Sequence, residues 1–355
     1  MDTAVRKIFL DQLFHWYSIH KRDLPWRNTT NPYFILLSEV ILQQTRVEQG
    51  LPYYHRFIEN YPTLNALANA EEEEILRLWQ GLGYYSRARN LHQTAKQIQQ
   101  RFQGIIPDDF NQLLSLKGIG IYTASAIASF AFQLPYAVVD GNVYRVLARV
   151  FGIEEDISTS KGVKFFQEIA NQLLPDKNHS IYNQAIMEFG ATHCTPRKPF
   201  CATCDIQSIC SAYANNTQDI LPFKSKKVVK TNRYINYIVF KSDDTYAMNK
   251  RLAGDIWEGL YDFYIAEPIK YEANEEDIMN FLNSIGLEHT LNYTSQTFKH
   301  LLTHQNLFVK YFLVEIQDVN KILSLLKIDF YPIDEIFNLP KPILITRFLE
   351  HKIFT

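Results

Sequence analysis

The sequence predicts a multidomain chain, with a mainly α part up to residue 222 and a separate α+β domain from residue 233. Three observations predict it. Before Asn232 apolar residues recur at helical spacing and no stretch alternates with period two. From Arg233 onward alternating runs appear, as in Tyr234–Lys241 and 306–317. Between the two parts lies a basic connector, Phe223–Lys230 (FKSKKVVK), within a linker drawn at 223–232. A chain of 355 residues is long enough for each part to bury its own core.

Composition is that of an ordinary globular protein, which excludes disordered and collagen-like classes. Lys+Arg number 36 against Asp+Glu 38, so any surface for nucleic acid must be a local basic patch. The candidates are Lys21/Arg22/Arg27, Arg87/Arg89 and Lys224/Lys226/Lys227/Lys230. Each taken alone reads as a solvated surface run. The N-terminal stretch is an amphipathic helix and not a signal peptide, and no apolar run approaches ~18 residues. The expectation is an intracellular (cytoplasmic) protein with no membrane span.

The first helix carries a stripe of Val5, Ile8, Phe9, Leu13, Trp16 and Tyr17 and stops before Pro25. The next, about 33–44, reads YFILLSEVILQQ and is apolar nearly all round, with Glu39 at its centre. Poor solvation there raises a carboxyl pKa, as a general acid near neutral pH requires. Equally, Glu39 could share a polar stripe with Ser38 or pair with an arginine. Segments 53–61, 64–70, 71–80, 87–103 and 108–116 repeat the helical pattern. A glycine–aromatic–basic loop, Gly81–Arg87, interrupts them; its Tyr84 offers either a wedge for stacked bases or a packed loop residue.

The chain is organised around 113–151. Leu116-Lys117-Gly118-Ile119-Gly120 makes a tight turn before a helix at about 122–132, and Asp140-Gly141-Asn142 opens another at about 143–151. Glycines at 118 and 120, at a helix start, let backbone N–H groups approach a phosphate. Asp140 reads as a plain N-cap or as a carboxylate held beyond that clamp.

All four cysteines fall in one window, Cys194-x6-Cys201-x2-Cys204-x5-Cys210. Disulfides do not suit an intracellular chain, and a structural zinc usually shows two short C-x2-C knuckles where only one is present. Four thiolates so spaced read better as ligands of a [4Fe–4S] cluster. In the second domain strands are expected at 234–241, 245–249, 296–301 and 306–317, and helices near 275–285, 318–326 and 341–354.

Together these features resemble the helix-hairpin-helix-Gly/Pro-Asp superfamily of base-excision glycosylases, and within it the MutY-type adenine DNA glycosylases. The resemblance is carried by Leu24-Pro25-Trp26-Arg27, Ser38–Thr45 (SEVILQQT), Gly81–Arg87, the 116–124 hairpin, Val139–Val143 and the cysteine window. It implies a helix-hairpin-helix glycosylase fold over 1–222, with a six-helix module at about 26–134 and a cluster module from 1–25 and 135–222. A Nudix-like 8-oxoguanine recognition domain is implied over 233–355.

The implied reaction removes adenine mispaired with 8-oxoguanine or guanine from duplex DNA, by base flipping, protonation at N7 and hydrolysis of the glycosidic bond. Glu39 is the implied acid. Asp140 is the implied anion that stabilises the oxocarbenium-like sugar or bonds to it transiently. Tyr122 and Asn142 are implied to hydrogen-bond around that centre. Tyr122 stands where bifunctional relatives present a Schiff-base lysine, which implies no strong lyase activity.

The implied adenine pocket is Arg22, Trp26, Arg27, Leu42 and Met187. DNA and lesion contacts are implied for Gln44, Thr45, Leu82, Tyr84, Lys117, Gly118, Gly120, Thr303 and His304. Leu302-Thr303-His304 matches the family's Phe-Ser-His reading loop with leucine replacing the aromatic. Glu275-Glu276-Asp277 lacks the rest of a Nudix metal-binding motif, so the domain is read as a reader and not a hydrolase. A monomer associated with the nucleoid is expected. An endonuclease III-like or thymine-mismatch glycosylase is the alternative on the same scaffold.

Overall fold

A computed structural model describes residues 2–225 and 229–352. Lys226 and Lys227 of the expected basic patch lie outside the described residues. Among those described, no helix is long and apolar enough to cross a membrane.

Two compact units appear: described residues of Met1–Asn69 with Asn90–Lys227, and those of Ala70–Arg89 with Val228–Thr355. The structure thus groups an early segment with the later unit. Its ties are long-range in sequence: Glu73 pairs with Lys250 at 2.6 Å, Arg89 Nη1 donates to Glu258 O at 2.6 Å, and Gln80 Nε2 donates to Thr346 Oγ1 at 3.1 Å. No periodicity in the sequence registers such pairings.

Helices follow as α1 (Thr3–His20), α2 (Pro32–Leu42), α3 (Val47–Asn60), α4 (Leu64–Asn69), α5 (Glu72–Leu78), α6 (Ser86–Phe102), α7 (Phe110–Leu114), α8 (Ile121–Phe132), α9 (Gly141–Phe151), α10 (Ser160–Leu173), α11 (His179–Thr192) and α12 (Ser211–Asn215). In α1 the buried stripe is Phe9, Leu10, Leu13, Trp16 and Tyr17, whereas Ile8 of the expected stripe is exposed. The sequence reading did not single out α10 and α11, yet α11 is the central strut of the first unit. It packs on α1, α8 and α9, and α2 packs on α8.

Local signals explain the starts. Pro32 fixes the first turn of α2, where the Asn31 side chain accepts from Tyr33 N. Asp140 caps α9, accepting from Asn142 N and Val143 N. Gly118 has φ +79, and a Cβ there would lie 2.6 Å from that of Asn90, so the hairpin turn requires glycine. Gly190 matters for packing: its Cβ would fall 2.7 Å from Asn142 Cβ and 2.9 Å from Asn142 O. Only glycine lets α11 come this close to the first turn of α9.

The second unit holds a mixed sheet, ordered β3-β2-β1-β7-β5. Its strands are β1 (Thr231–Ser242), β2 (Thr245–Lys250), β3 (Tyr261–Asp262), β4 (Tyr264–Ile265), β5 (His289–Thr294), β6 (Phe298–Leu301), β7 (Gln305–Ile316) and β8 (Asp329–Pro332). β1 and β7 run parallel from Thr231↔Gln305 to Lys241↔Glu315, which demands a long crossover. Helix α13 (Glu275–Ser284) lies in that crossover, followed later by α14 (Val319–Leu326), α15 (Ile333–Asn338) and α16 (Ile343–Lys352). Glu275-Glu276-Asp277 forms the first turn of α13, closed by an Asn274/Asp277 capping box.

One buried amide holds the connection leading into α9. Asn183 of α11, fully buried, accepts from Val138 N at 3.0 Å and donates to Ser129 Oγ at 2.9 Å and Tyr136 O at 2.8 Å. Replacing it by alanine strands buried polar groups, so Asn183→Ala is expected to lower unfolding free energy by roughly 2–4 kcal/mol in chemical denaturation.

Candidate active site

The apolar helix α2 delivers Glu39, 6% exposed, into a cavity of about 170 Å³ within the first unit. For scale, an apolar cavity of about 150 Å³ accepts a benzene ring. Tyr122 from α8 enters the same cavity and donates its hydroxyl to Glu39 Oε2 at 2.7 Å. Tyr122 therefore orients Glu39. No ion pair among the described residues reaches Glu39, and Ser38 turns to Ile35 O instead.

Asp140 and Asn142, from the first turn of α9, line this cavity too. Asp140 Oδ1 accepts from Asn142 N at 2.9 Å and Val143 N at 2.8 Å, and Oδ2 accepts from Asn142 Nδ2 at 2.7 Å. The cap and the cavity-facing carboxylate are the same group, so the two readings of Asp140 do not compete.

Burial dominates both carboxyls. It raises Glu39 to about 7, against the hydrogen bond from Tyr122, with the negative charge of Asp140 adding to the rise. Burial also raises Asp140, but two backbone N–H groups, the Asn142 amide and the Arg145 charge oppose it. Three N–H donors favour the anion at Asp140 where Glu39 has one hydroxyl. Of the two, Glu39 is the one whose surroundings favour the protonated form near neutral pH.

The five residues expected at the base, Arg22, Trp26, Arg27, Leu42 and Met187, all line the cavity. Thr45, expected at the opposing strand, lines it as well. Gln44 lies outside, exposed, with φ 54. Sequence reasoning missed Glu188, which sits 1% exposed in α11 between two arginines. Arg22 Nε donates to Oε1 at 2.7 Å, Arg22 Nη2 to Oε2 at 2.8 Å, and Arg27 Nη2 to Oε2 at 2.6 Å. An acid amid AIMEFGA is the same signal that marked Glu39, and it went unread. Arg22 and Arg27 are thus not a solvated surface run but the charge partners of a buried carboxylate.

In the second unit, Tyr84, Thr303 and His304 line one cavity of about 560 Å³ with Trp257 and His300. The Tyr84 and Thr303 hydroxyls hydrogen-bond to each other. Tyr84 has φ 51, a left-handed backbone rare for an aromatic residue. Leu82 is buried at 5% and presents no surface here. Arg87 is buried over Trp79, and Arg89 is bound to Glu258, so neither is a solvated face.

At the hairpin, Lys117 N donates to Gln97 Oε1 and Ile119 N to Leu116 O. The Gly118 and Gly120 N–H groups have no hydrogen-bond partner among the described residues. The turn therefore offers two backbone donors, with the exposed Lys117 beside them.

Cys194, Cys201, Cys204 and Cys210 are unbridged and line a common small cavity beside Arg149. Burial pushes the Cys204 thiol up to about 12 and raises Cys201 and Cys210, so thiolates here require nearby positive charge. Among the described residues no three such side chains converge on a single ion. A cluster in which each iron takes one thiolate needs no such convergence, and the donor set fits it.

A family model described as HhH-GPD superfamily base excision DNA repair protein matches residues 37–172, and a NUDIX domain model matches 236–351. Similar proteins include the adenine DNA glycosylase of Buchnera aphidicola subsp. Acyrthosiphon pisum, 32% identical over 84% of this chain and 85% of that protein. The adenine DNA glycosylase of Mus musculus is 43% identical over 60% of this chain and 43% of its own. Among solved structures, a thermostable thymine-DNA glycosylase aligns with TM-score 0.56 and 30% identity, covering 60% of this chain and 98% of that one. A non-covalent endonuclease III–DNA complex aligns at TM-score 0.52 and 22% identity, over 61% of this chain and 100% of that one, and bears on the fold alone.

The Glu188 pair sets a pH dependence. Burial pushes its carboxyl up, but the hydrogen bonds and charges of Arg22 and Arg27 outweigh this and leave it at about 2, below the ordinary 4.5. A depressed carboxyl adds stability that is full above its unfolded pKa and lost as pH falls through its folded one. Glu188→Gln is expected to cost about 3 kcal/mol at neutral pH and to flatten stability between pH 4.5 and about 2, as read by urea denaturation across that range.

Proposed function

The chain belongs to the adenine DNA glycosylase family, and on that premise we propose how its two units divide the reaction. It is a DNA N-glycosylase. The substrate we assign is duplex DNA with adenine opposite 8-oxoguanine or guanine. The observation that carries the assignment is one cavity holding two carboxyls in opposite surroundings, Glu39 buried with a single hydroxyl donor and Asp140 bound by three N–H groups.

A flipped adenine enters beside Trp26, Leu42 and Met187, with the Arg22–Glu188–Arg27 group supplying polar partners to its edge. Glu39 gives its proton to N7, which makes the base a neutral leaving group. The bond to the sugar breaks, the positive charge left there faces Asp140 as its counter-charge, and water adds to the sugar carbon and loses a proton to leave an abasic site. Asn142 and two backbone N–H groups hold Asp140 in place. Tyr122 carries no amine, so no Schiff base forms and the strand stays uncut. Gly118 and Gly120 N–H groups, with Lys117, receive phosphate oxygens, giving affinity without sequence information.

The cavity of Tyr84, Thr303 and His304 supports a lesion-reading role for the second unit, and Gln44 and Thr45 remain our assignment for the opposing strand. The four cysteines would hold a [4Fe–4S] cluster, which when bound cross-links the 194–210 loop and takes no part in the base-releasing step. Likeness to the thymine-DNA glycosylase favours a second reading over the helical part, thymine removal from a mismatch.

Duplexes carrying adenine opposite 8-oxoguanine, opposite guanine and opposite thymine, and thymine opposite guanine, separate the readings. Only the first two are expected to lose a base, and loss of thymine would overturn the adenine assignment. Borohydride should trap no adduct. Glu39→Gln should slow single-turnover excision by about 10²–10⁴-fold. With Glu39 at about 7, the rate should fall as pH rises through that value. Tyr122→Phe removes the bond that favours the anion and should move this limb to higher pH.

A further inference from the structure

Helix α9 buries two guanidinium groups one turn apart, Arg145 at 8% and Arg149 at 2% exposure. Like charges at this spacing repel, and a buried cation needs an anion or a full set of acceptors. Neither forms an ion pair with a carboxylate among the described residues, unlike the Arg22, Arg27 and Arg251 groups. Arg145 reaches the Asn142 side chain and Gly190 O, while its Nε donates to the backbone of Cys194 at 2.7 Å, so it bridges the Asp140 end of the helix and the first cysteine without facing a sulfur.

Arg149 has no such neighbour. Its Nε donates to Leu221 O at 3.1 Å, Nη1 to Thr195 O at 2.7 Å and Nη2 to Pro196 O at 3.2 Å. Nη1 also lies 3.5 Å from Cys194 Sγ. A rigid fork of donors suits three carbonyls from two separated stretches of chain, where an ammonium would not span them. The remaining charge faces a sulfur. Four thiolates around iron form an anionic centre, and a cation at that depth without a carboxylate is placed to balance it.

We propose that Arg149 is a positioning residue for the cysteine centre: it supplies the buried counter-charge beside Cys194 and pins the start of the cysteine window to the chain beyond its end. The inference rests on reading the four cysteines as cluster ligands.

The test uses the full chain, purified with its metal, as wild type, Arg149→Lys and Arg149→Gln. Iron and acid-labile sulfide are counted, iron release to a chelator under a mild oxidant is timed, and the cluster's midpoint potential is measured. Arg149→Gln is expected to release iron about tenfold faster, the effect of losing one charged hydrogen bond. Its midpoint potential should fall, because removing a nearby cation favours the more oxidised cluster. Arg149→Lys keeps the charge and loses the fork, so its potential should stay near wild type while iron release speeds up.

Wild-type potential and release in Arg149→Gln would overturn the proposal. Equal falls in potential for the Lys and Gln variants would overturn the charge role. If Arg149→Gln yields no soluble protein, Arg149→Lys decides by both readings: faster iron release at an unchanged potential upholds the proposal, and wild-type release or a lowered potential overturns it. Wild-type protein without iron and sulfide would instead sink the cluster reading itself.

Discussion

The site depends on keeping one carboxyl out of water. Glu39 occupies a helix whose other buried residues are mostly aliphatic, and burial there raises its pKa to about 7. A second carboxyl in the same cavity would ordinarily compete for the proton. That competition is weakened because Asp140 lies at a helix start, where N–H groups lack partners within the helix and favour the anion against the burial that raises its pKa. The two groups are the same chemistry in opposite surroundings, and the difference in surroundings is supplied by backbone geometry.

That geometry has its own requirements. The first turn of α9 must sit against α11, and a side chain at 190 would collide with Asn142. Asn183 fixes the preceding connection, and Arg145 joins Asn142 Oδ1 to Gly190 O and Cys194 O. The cysteine window therefore begins one hydrogen-bonded residue away from the Asp140 cap. Stability of the 194–210 loop and placement of Asp140 are consequently linked through a single helix.

Much of this was legible in the chain, for identifiable reasons. A lone acid inside YFILLSEVILQQ violates helix patterning, and such violations mark sites. Two glycines with a following Asp-Gly-Asn mark turns and caps by conformational need. Glu188 was missed although AIMEFGA carries the same violation, because its arginine partners lie more than 160 residues away. The basic clusters misled for the converse reason: a run of arginines looks solvated until a distant acid or an aromatic face is found to cover it. Strands β3, β4, β5 and β8 escaped because they are short or polar and owe their pairing to β1, β2 and β7.

Backbone strain adds a signal that no residue type announces. Gln44 and Tyr84 both adopt left-handed conformations, at φ 54 and 51, and neither is a glycine or asparagine that tolerates them easily. Such residues persist where the surroundings overdetermine them. For Tyr84 the surroundings are visible: its hydroxyl is held by Thr303, and its loop is tied to the later unit by Arg89 and Gln80. The loop belongs, by its bonds, with the unit that follows it by some 140 residues of sequence. The cavity of Glu39 and Asp140 is lined wholly from the first unit and the cavity of Tyr84 and Thr303 wholly from the second, so a change in either lining leaves the packing that makes the other undisturbed.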